Sequence, residues 1–174
     1  RLINFAHGDV FMLGAYIAFY LTTFFLLPWW AAFLVAIACT ALFGIGLERT
    51  AYKPLRDSPK ISIMISAIGA SFLIENLATV LFGGRPKGFP VPPLFSKVLH
   101  FGSVSVVSVS VIIPVFTFAL LALLLWIVHK TKTGMAMRAV STDIDAARLQ
   151  AIDVNRVVSF TFGLGSLLAA IGGI

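Results

Sequence analysis

Asn4, His7 and Asp9 bring an amide, an imidazole and a carboxylate close together, with Gly8 between the last two. Such groups can relay a proton, hold a small polar solute or cap a helix. One histidine beside one carboxylate supplies too few ligands for a metal. Further along, Glu75 is the one acidic residue well inside an apolar run, and Asn76 follows it. An ionisable group within such a run marks a functional site by default, and a protonated or hydrogen-bonded structural carboxylate is the other reading. Spacing singles out no nucleophile–base pair, and no Gly-x-x-x-x-Gly-Lys-Ser/Thr phosphate loop occurs. The chain is therefore expected to be neither an enzyme nor the holder of a cofactor of its own.

The elements that position these groups are apolar. Of the 174 residues 59% are hydrophobic and 11% charged, with a mean hydropathy of +1.00, whereas a soluble domain carries about a quarter charged residues. Long runs without alternation predict an all-α integral membrane protein, a polytopic helix bundle. They exclude a barrel of alternating segments. The net charge of +6 resides in short loops between these runs, so it does not point to nucleic acid.

Residues 10–47 carry no ionised side chain. As one helix they would be about 57 Å long, roughly twice the hydrocarbon core, so the chain must turn, and Pro28-Trp29-Trp30 is the evident place. About five spans follow, near 10–27, 30–47, 61–82, 112–128 and 157–174, with a discontinuous helix possible near 3–9. Charged loops are expected at 48–60 and 129–156. The connection 83–110 is rich in Gly and Pro, then alternates Val and Ser with a slip at Val106-Val107, which reads as short strands with a bulge. Lys and Arg number one at the N-terminal end, four in 48–60 and five in 129–156, against three in 83–110. That asymmetry places the two charged loops in the cytoplasm and 83–110 outside. The chain lacks an initiator Met and stops inside an apolar run, so it reads as one transmembrane domain truncated at both ends.

On a wheel of the third span, Ser62, Ser66, Gly69 and Asn76 fall within an arc of about 80°, and Ser71 and Glu75 lie opposite. Polar groups on two faces predict a helix wedged among others beside a polar path. At the first span, Gly8 would let a ligand approach the backbone, and exposed N–H groups would suit a carboxylate. Asp9 complements the positive helix end, and a cap-only role for it stays open. Asn4, His7, Gly8, Ser66, Gly69, Glu75 and Asn76 are thus the candidate path residues. Two stripes of small residues, Ala32/Ala36/Thr40/Gly44 and Gly165/Ala169/Gly173, are spaced for close helix packing. Cys39, the single cysteine, is expected to pack as a small core residue. The segment 129–156 is polar but patterned and long for a passive link. It predicts a short amphipathic helix offering a docking surface.

Four separated segments together resemble the permease subunits of branched-chain amino-acid ABC importers. They are Ile3-Asn4-Phe5-Ala6-His7-Gly8-Asp9 with Leu13-Gly14-Ala15-Tyr16; Glu48 to Arg56; Ile65 to Ser71 with Glu75-Asn76; and Gly134 to Ala139 with Asp143, Ala147 and Ile152 to Val157. The resemblance implies a bacterial inner-membrane subunit importing leucine, isoleucine or valine by alternating access. It implies a second permease subunit, two ATP-binding subunits carrying ATP and Mg, and a periplasmic substrate-binding protein. It further implies that Gly134, Arg138, Asp143, Ala147, Asp153 and Arg156 belong to the loop that meets the ATPase. Ala151 stands where that loop commonly has glycine, Met135 where a basic residue is common, and Glu75 where glutamine is expected. Related permeases move urea or short amides, which leaves that substrate class as an alternative. A proton-coupled secondary transporter using His7, Asp9 and Glu75 is another.

Overall fold

A computed structural model describes residues 5–56, 58–89, 95–101 and 104–174. The chain forms two compact units, one of residues 1–88 with 153–174 and one of 89–152. In the first, α1 (His7–Thr23), α2 (Trp29–Leu47) and α7 (Val154–Gly173) pack on one another, and α3 (Lys60–Phe82) lies against α1. In the second, strands β1 (Val98–Phe101) and β2 (Val104–Val107) form an antiparallel pair ahead of α4 (Ser108–Lys130), α5 (Lys132–Thr142) and α6 (Ile144–Leu149). Among the described residues four helical stretches, Trp29–Leu55, Ile61–Phe82, Ser108–Lys130 and Val154–Gly173, are long and apolar enough to cross a membrane. At 17 residues α1 is shorter, about 25 Å.

Small residues set the packing of the first unit. Ala6, Val10, Gly14 and Ala18 recur every fourth residue along α1 and are buried. The α2 stripe Ala32/Ala36/Thr40/Gly44 is buried as its spacing indicates, with the Thr40 hydroxyl donating to the Ala36 carbonyl at 2.8 Å. A Cβ on Gly14 would lie 2.9 Å from Ala170 Cα, and one on Gly44 would overlap the Ser166 side chain. Lipid offers no hydrophobic drive between helices, so close backbone approach supplies the attraction. On α7 the expected 165/169/173 stripe holds at Ala169 and Gly173 and fails at Gly165. Gly163, Ser166 and Ala170 are buried, and a Cβ on Gly173 would strike the Phe11 carbonyl, whereas one on Gly165 would meet nothing. Ala169 is buried as well. Four-residue spacing drifts around a 3.6-residue helix, so alternating steps of three and four hold a face better. Cys39 is exposed rather than packed, because the α2 stripe turns it outward.

Three sequence expectations change. Residues 48–55 continue α2, as a π-helical turn Glu48–Tyr52 and a 3-10 turn Lys53–Leu55, where a charged loop was expected. Helix continues because Glu48 is paired internally, and Pro54, lacking an N–H, then ends the regular ladder. The β1–β2 register runs Val98↔Val107 to Phe101↔Val104 with no bulge. The slip at Val106-Val107 marks instead the passage from strand to helix, since Val107 is the extended residue before α4. Residues 129–156 hold two short helices, α5 and α6, separated by Asp143, and not one.

Candidate functional site

Asn4 lies outside the described residues. Phe5 and Ala6 form a turn, and α1 begins at His7, which is exposed, as is Gly8, with open space where a Cβ would be. Among the described residues no side chain caps this end. Asp9 is half-buried and accepts a hydrogen bond from Ser71 Oγ. The cap-only reading is thereby replaced: its acceptor is used to tie α1 to α3. Tyr16 stacks on Phe82 at 4.6 Å between centroids, so the two helices run parallel from the Asp9–Ser71 level onward. Tyr52 hydrogen-bonds the backbone of Ala6, seating the start of α1 on the extension of α2.

The polar residues of α3 separate into two sets. Ser66 Oγ donates to the Ala51 carbonyl at 2.9 Å, and Ser71 serves Asp9, so both are engaged at helix contacts. Ile63, Ala67, Ile74 and Ala78 make the buried stripe between them. Gly69, Glu75 and Asn76 lie on the exposed half. Asn76 Nδ2 donates to the Phe72 carbonyl at 2.7 Å, and Thr79 Oγ1 to the Glu75 carbonyl at 3.0 Å. Among the described residues the Glu75 carboxylate has no hydrogen-bond or ionic partner.

Sequence reasoning missed the densest polar cluster. Glu48 is fully buried, pairs with Arg56 and accepts a hydrogen bond from Ser159 Oγ at 2.6 Å. Arg56 also donates through Nη1 to Asn155 Oδ1 at 2.6 Å. The cluster binds the end of α2 to the first turns of α7, with Tyr52 against Phe162 beside it at 4.9 Å. Its one sequence signal was an acid ending a 38-residue uncharged run, counted from Val10 to Leu47, with an arginine eight residues on.

The proposed coupling residues divide between the two units. In the second, Gly134 allows α5 to turn tightly against α4: a Cβ there would overlap the Ile127 and Val128 carbonyls. Thr131 caps α5 by accepting from Gly134 N at 3.0 Å. Asp143 caps α6, accepting from the N–H groups of Asp145 and Ala146 at 2.9 and 3.1 Å. Ala147 is buried, and Arg138 is exposed, as are Met135, Ile144 and Leu149. After α6 the Ile152 N–H bonds the Ala147 carbonyl and the Ala151 N–H that of Arg148, with Ala151 at φ 58°. This is a Schellman turn with alanine in the left-handed position that glycine usually takes. In the first unit, Asp153 caps α7 through the Arg156 N–H at 3.1 Å, and Arg156 is exposed.

Among the described residues no group of His, Cys, Asp and Glu could hold a metal ion. A groove on α4 lined by Val111, Ile112, Val115, Phe116 and Ala119 presents only carbon and offers a polar solute nothing.

Apolar helices joined through small residues, with internally paired charges and a largely apolar exterior, define a multi-pass α-helical membrane protein. Residues 1–174 match the family described as branched-chain amino acid transport system / permease component, and the chain belongs to that family. It is 34% identical over 189 residues to the high-affinity branched-chain amino acid transport system permease protein LivH of Salmonella typhimurium, covering 99% of this chain and 60% of that protein. LivH of Escherichia coli gives 34% over 187 residues, and BraD of Pseudomonas aeruginosa 34% over 186, with the same coverage. The chain thus spans about three fifths of the length of these curated relatives. No solved structure matches it.

Proposed function

We propose that this chain is part of the membrane-spanning subunit of an ATP-driven importer for branched-chain amino acids, resident in a bacterial inner membrane. The observation that carries the reading is similarity along the entire chain to permease proteins named for that transport. A second permease subunit, two ATP-binding subunits and a periplasmic binding protein complete the machine. ATP and Mg act on the partner subunits, and this chain contributes the path by alternating access. The exposed His7–Gly8 end of α1 and the exposed half of α3, with Gly69, Glu75 and Asn76, are its path surfaces. Ser66 supports that surface from behind through Ala51.

The α5–α6 pair is the ATPase-facing element, with Arg138, Met135 and Leu149 outward on it. Because Asp143 caps α6, Arg138→Ala is the cleaner probe. It should lower uptake per ATP hydrolysed several-fold without loss of folded protein. A proton-coupled mechanism finds little support, since the Asp9 carboxylate is engaged with Ser71. The test is leucine uptake into proteoliposomes holding the full-length importer. Uptake should require ATP and persist when the proton gradient and membrane potential are collapsed. Uptake that follows the gradient and ignores ATP would refute the reading.

A further inference from the structure

The Glu48 cluster is more than its helix contact needs. Further along the same pair of helices, α2 and α7 already meet by close backbone approach, with Gly44 against Ser166 and Gly163 against Ile45. A buried ion pair adds little net stability to such a contact, but it fixes geometry, because pulling it apart strands a charge. The chain also coils to build it. In a continuous α-helix Arg56 would lie about 12 Å along the axis from Glu48. Instead the π-helical turn Glu48–Tyr52 and the 3-10 turn Lys53–Leu55 tighten the chain, Arg56 N bonding the Lys53 carbonyl, and the guanidinium reaches back to Glu48. From there Arg56 Nη1 donates to Asn155 Oδ1, while Ser159 Oγ donates to Glu48 Oε2, both at 2.6 Å. Asn155 and Ser159 are four residues apart, one turn along one face of α7. The end of α2 therefore grips α7 at two points, which resists both sliding and rotation.

The gripped end of α7 is the one that follows α6 in sequence. Four residues, Gln150 to Asp153, join the two helices. On the α6 side the Ile152 N–H is held by the Ala147 carbonyl, and on the α7 side Asp153 caps the Arg156 N–H. A tether this short has little slack, so a displacement of α6 beyond it arrives at the first turn of α7, where Asn155 stands. We propose that Asn155 and Ser159, held by Arg56 and Glu48, are positioning residues for transport. They make the start of α7 and the end of α2 one rigid joint, and so carry a pull from α6 into α2. The inference rests on the reading of α5–α6 as the ATPase-facing element and deepens it. Without the joint, α7 would slide past α2 and ATP would be hydrolysed with no solute moved.

The test uses the full-length importer in proteoliposomes, with leucine uptake and ATP hydrolysis read in the same vesicles. Asn155→Ala and Ser159→Ala each remove one bond across the joint and leave the Glu48–Arg56 pair in place. Each should lower the leucine carried per ATP hydrolysed about threefold, and the double variant about tenfold, the scale of one and two net hydrogen bonds. Asn155→Asp with Ser159→Thr keeps an acceptor and a hydroxyl and should recover most of the ratio. Ser71→Ala is the control for lost stability: it removes a comparable bond at the α1–α3 contact and should leave the ratio unchanged. A double variant within about twofold of the unaltered importer overturns the proposal. So does an equal fall in Ser71→Ala, or a fall confined to Asn155→Ala, which would set that exposed residue directly against a partner. Uptake that ignores ATP altogether would instead sink the importer reading, and this inference with it.

Discussion

Glu48 and Glu75 are the same residue type in neighbouring apolar helices, yet one is sealed and the other open. Glu48 sits at 0% exposure with arginine and serine against its oxygens, where α2 meets α7. Glu75 lies on the exposed half of α3, its carboxylate without a partner among the described residues. The difference teaches where each charge acts. A buried ion pair is seldom a net gain over apolar packing, but breaking it strands a charge, so the Glu48 end is rigidly specified. An unpaired carboxylate stabilises nothing in the fold and is available for a ligand. Asp9 falls between them, half-buried with one serine donor.

The largest expected effect comes from the sealed end. Glu48→Ala leaves Arg56, whose side chain is 9% exposed, without its counter-charge, and should cost about 3–5 kcal/mol. Denaturant titration of the full-length permease in detergent would measure it. Glu75→Gln should change the same titration by less than about 0.5 kcal/mol, as for an ordinary surface substitution. Equal losses would erase the contrast. Next comes Ser71→Ala, which removes the Asp9 donor found among the described residues and should cost about 1–3 kcal/mol. A value near zero would mean that Asp9 is as free as Glu75.

Glycines extend the same contrast to the backbone. Gly44→Ala places a Cβ into Ser166, and overpacking of this kind costs about 1–3 kcal/mol. Gly69→Ala meets open space, and alanine's better helix propensity should stabilise α3 by up to about 1 kcal/mol. Opposite signs in a detergent unfolding assay would sharpen the division into packed and open faces. Two losses of similar size would show that something covers Gly69.

How much of this was legible beforehand follows the range of the interactions. The helices were readable because apolar runs must satisfy their backbone groups internally, and Pro28-Trp29-Trp30 marked the first turn. The α2 stripe was readable because its spacing is local. The Glu48–Ser159 contact joins residues 111 apart in sequence, and no local pattern announces it. Charge counting also misread 48–55, since an acid and an arginine that neutralise each other can sit on a helix as well as in a loop. Of the candidate path residues, Ser66 proved to be a strut and Gly69, Glu75 and Asn76 proved exposed. A wheel gives direction around a helix but does not say which direction is already occupied.

The smallest effect isolates backbone strain from all carboxylate pairing. Ala151 holds φ 58° after α6, a conformation that costs an alanine roughly 1–2 kcal/mol. Glycine would remove that cost but gain unfolded-state freedom worth about 0.4–1 kcal/mol. Ala151→Gly should therefore raise stability only slightly, by about 0–1.6 kcal/mol from those two ranges, and a small upward shift of the thermal midpoint would register it. The turn's two hydrogen bonds, from Ala151 and Ile152, are backbone bonds and survive the change. On the proposed importer reading, leucine uptake should stay as it was, because the exposed half of α3 and the Glu48 cluster are untouched. If Ala151→Gly instead lowers uptake more than Glu75→Gln does, then rigidity of the α6 turn limits transport more than the open carboxylate. The contrast between sealed and open charges would then describe stability alone.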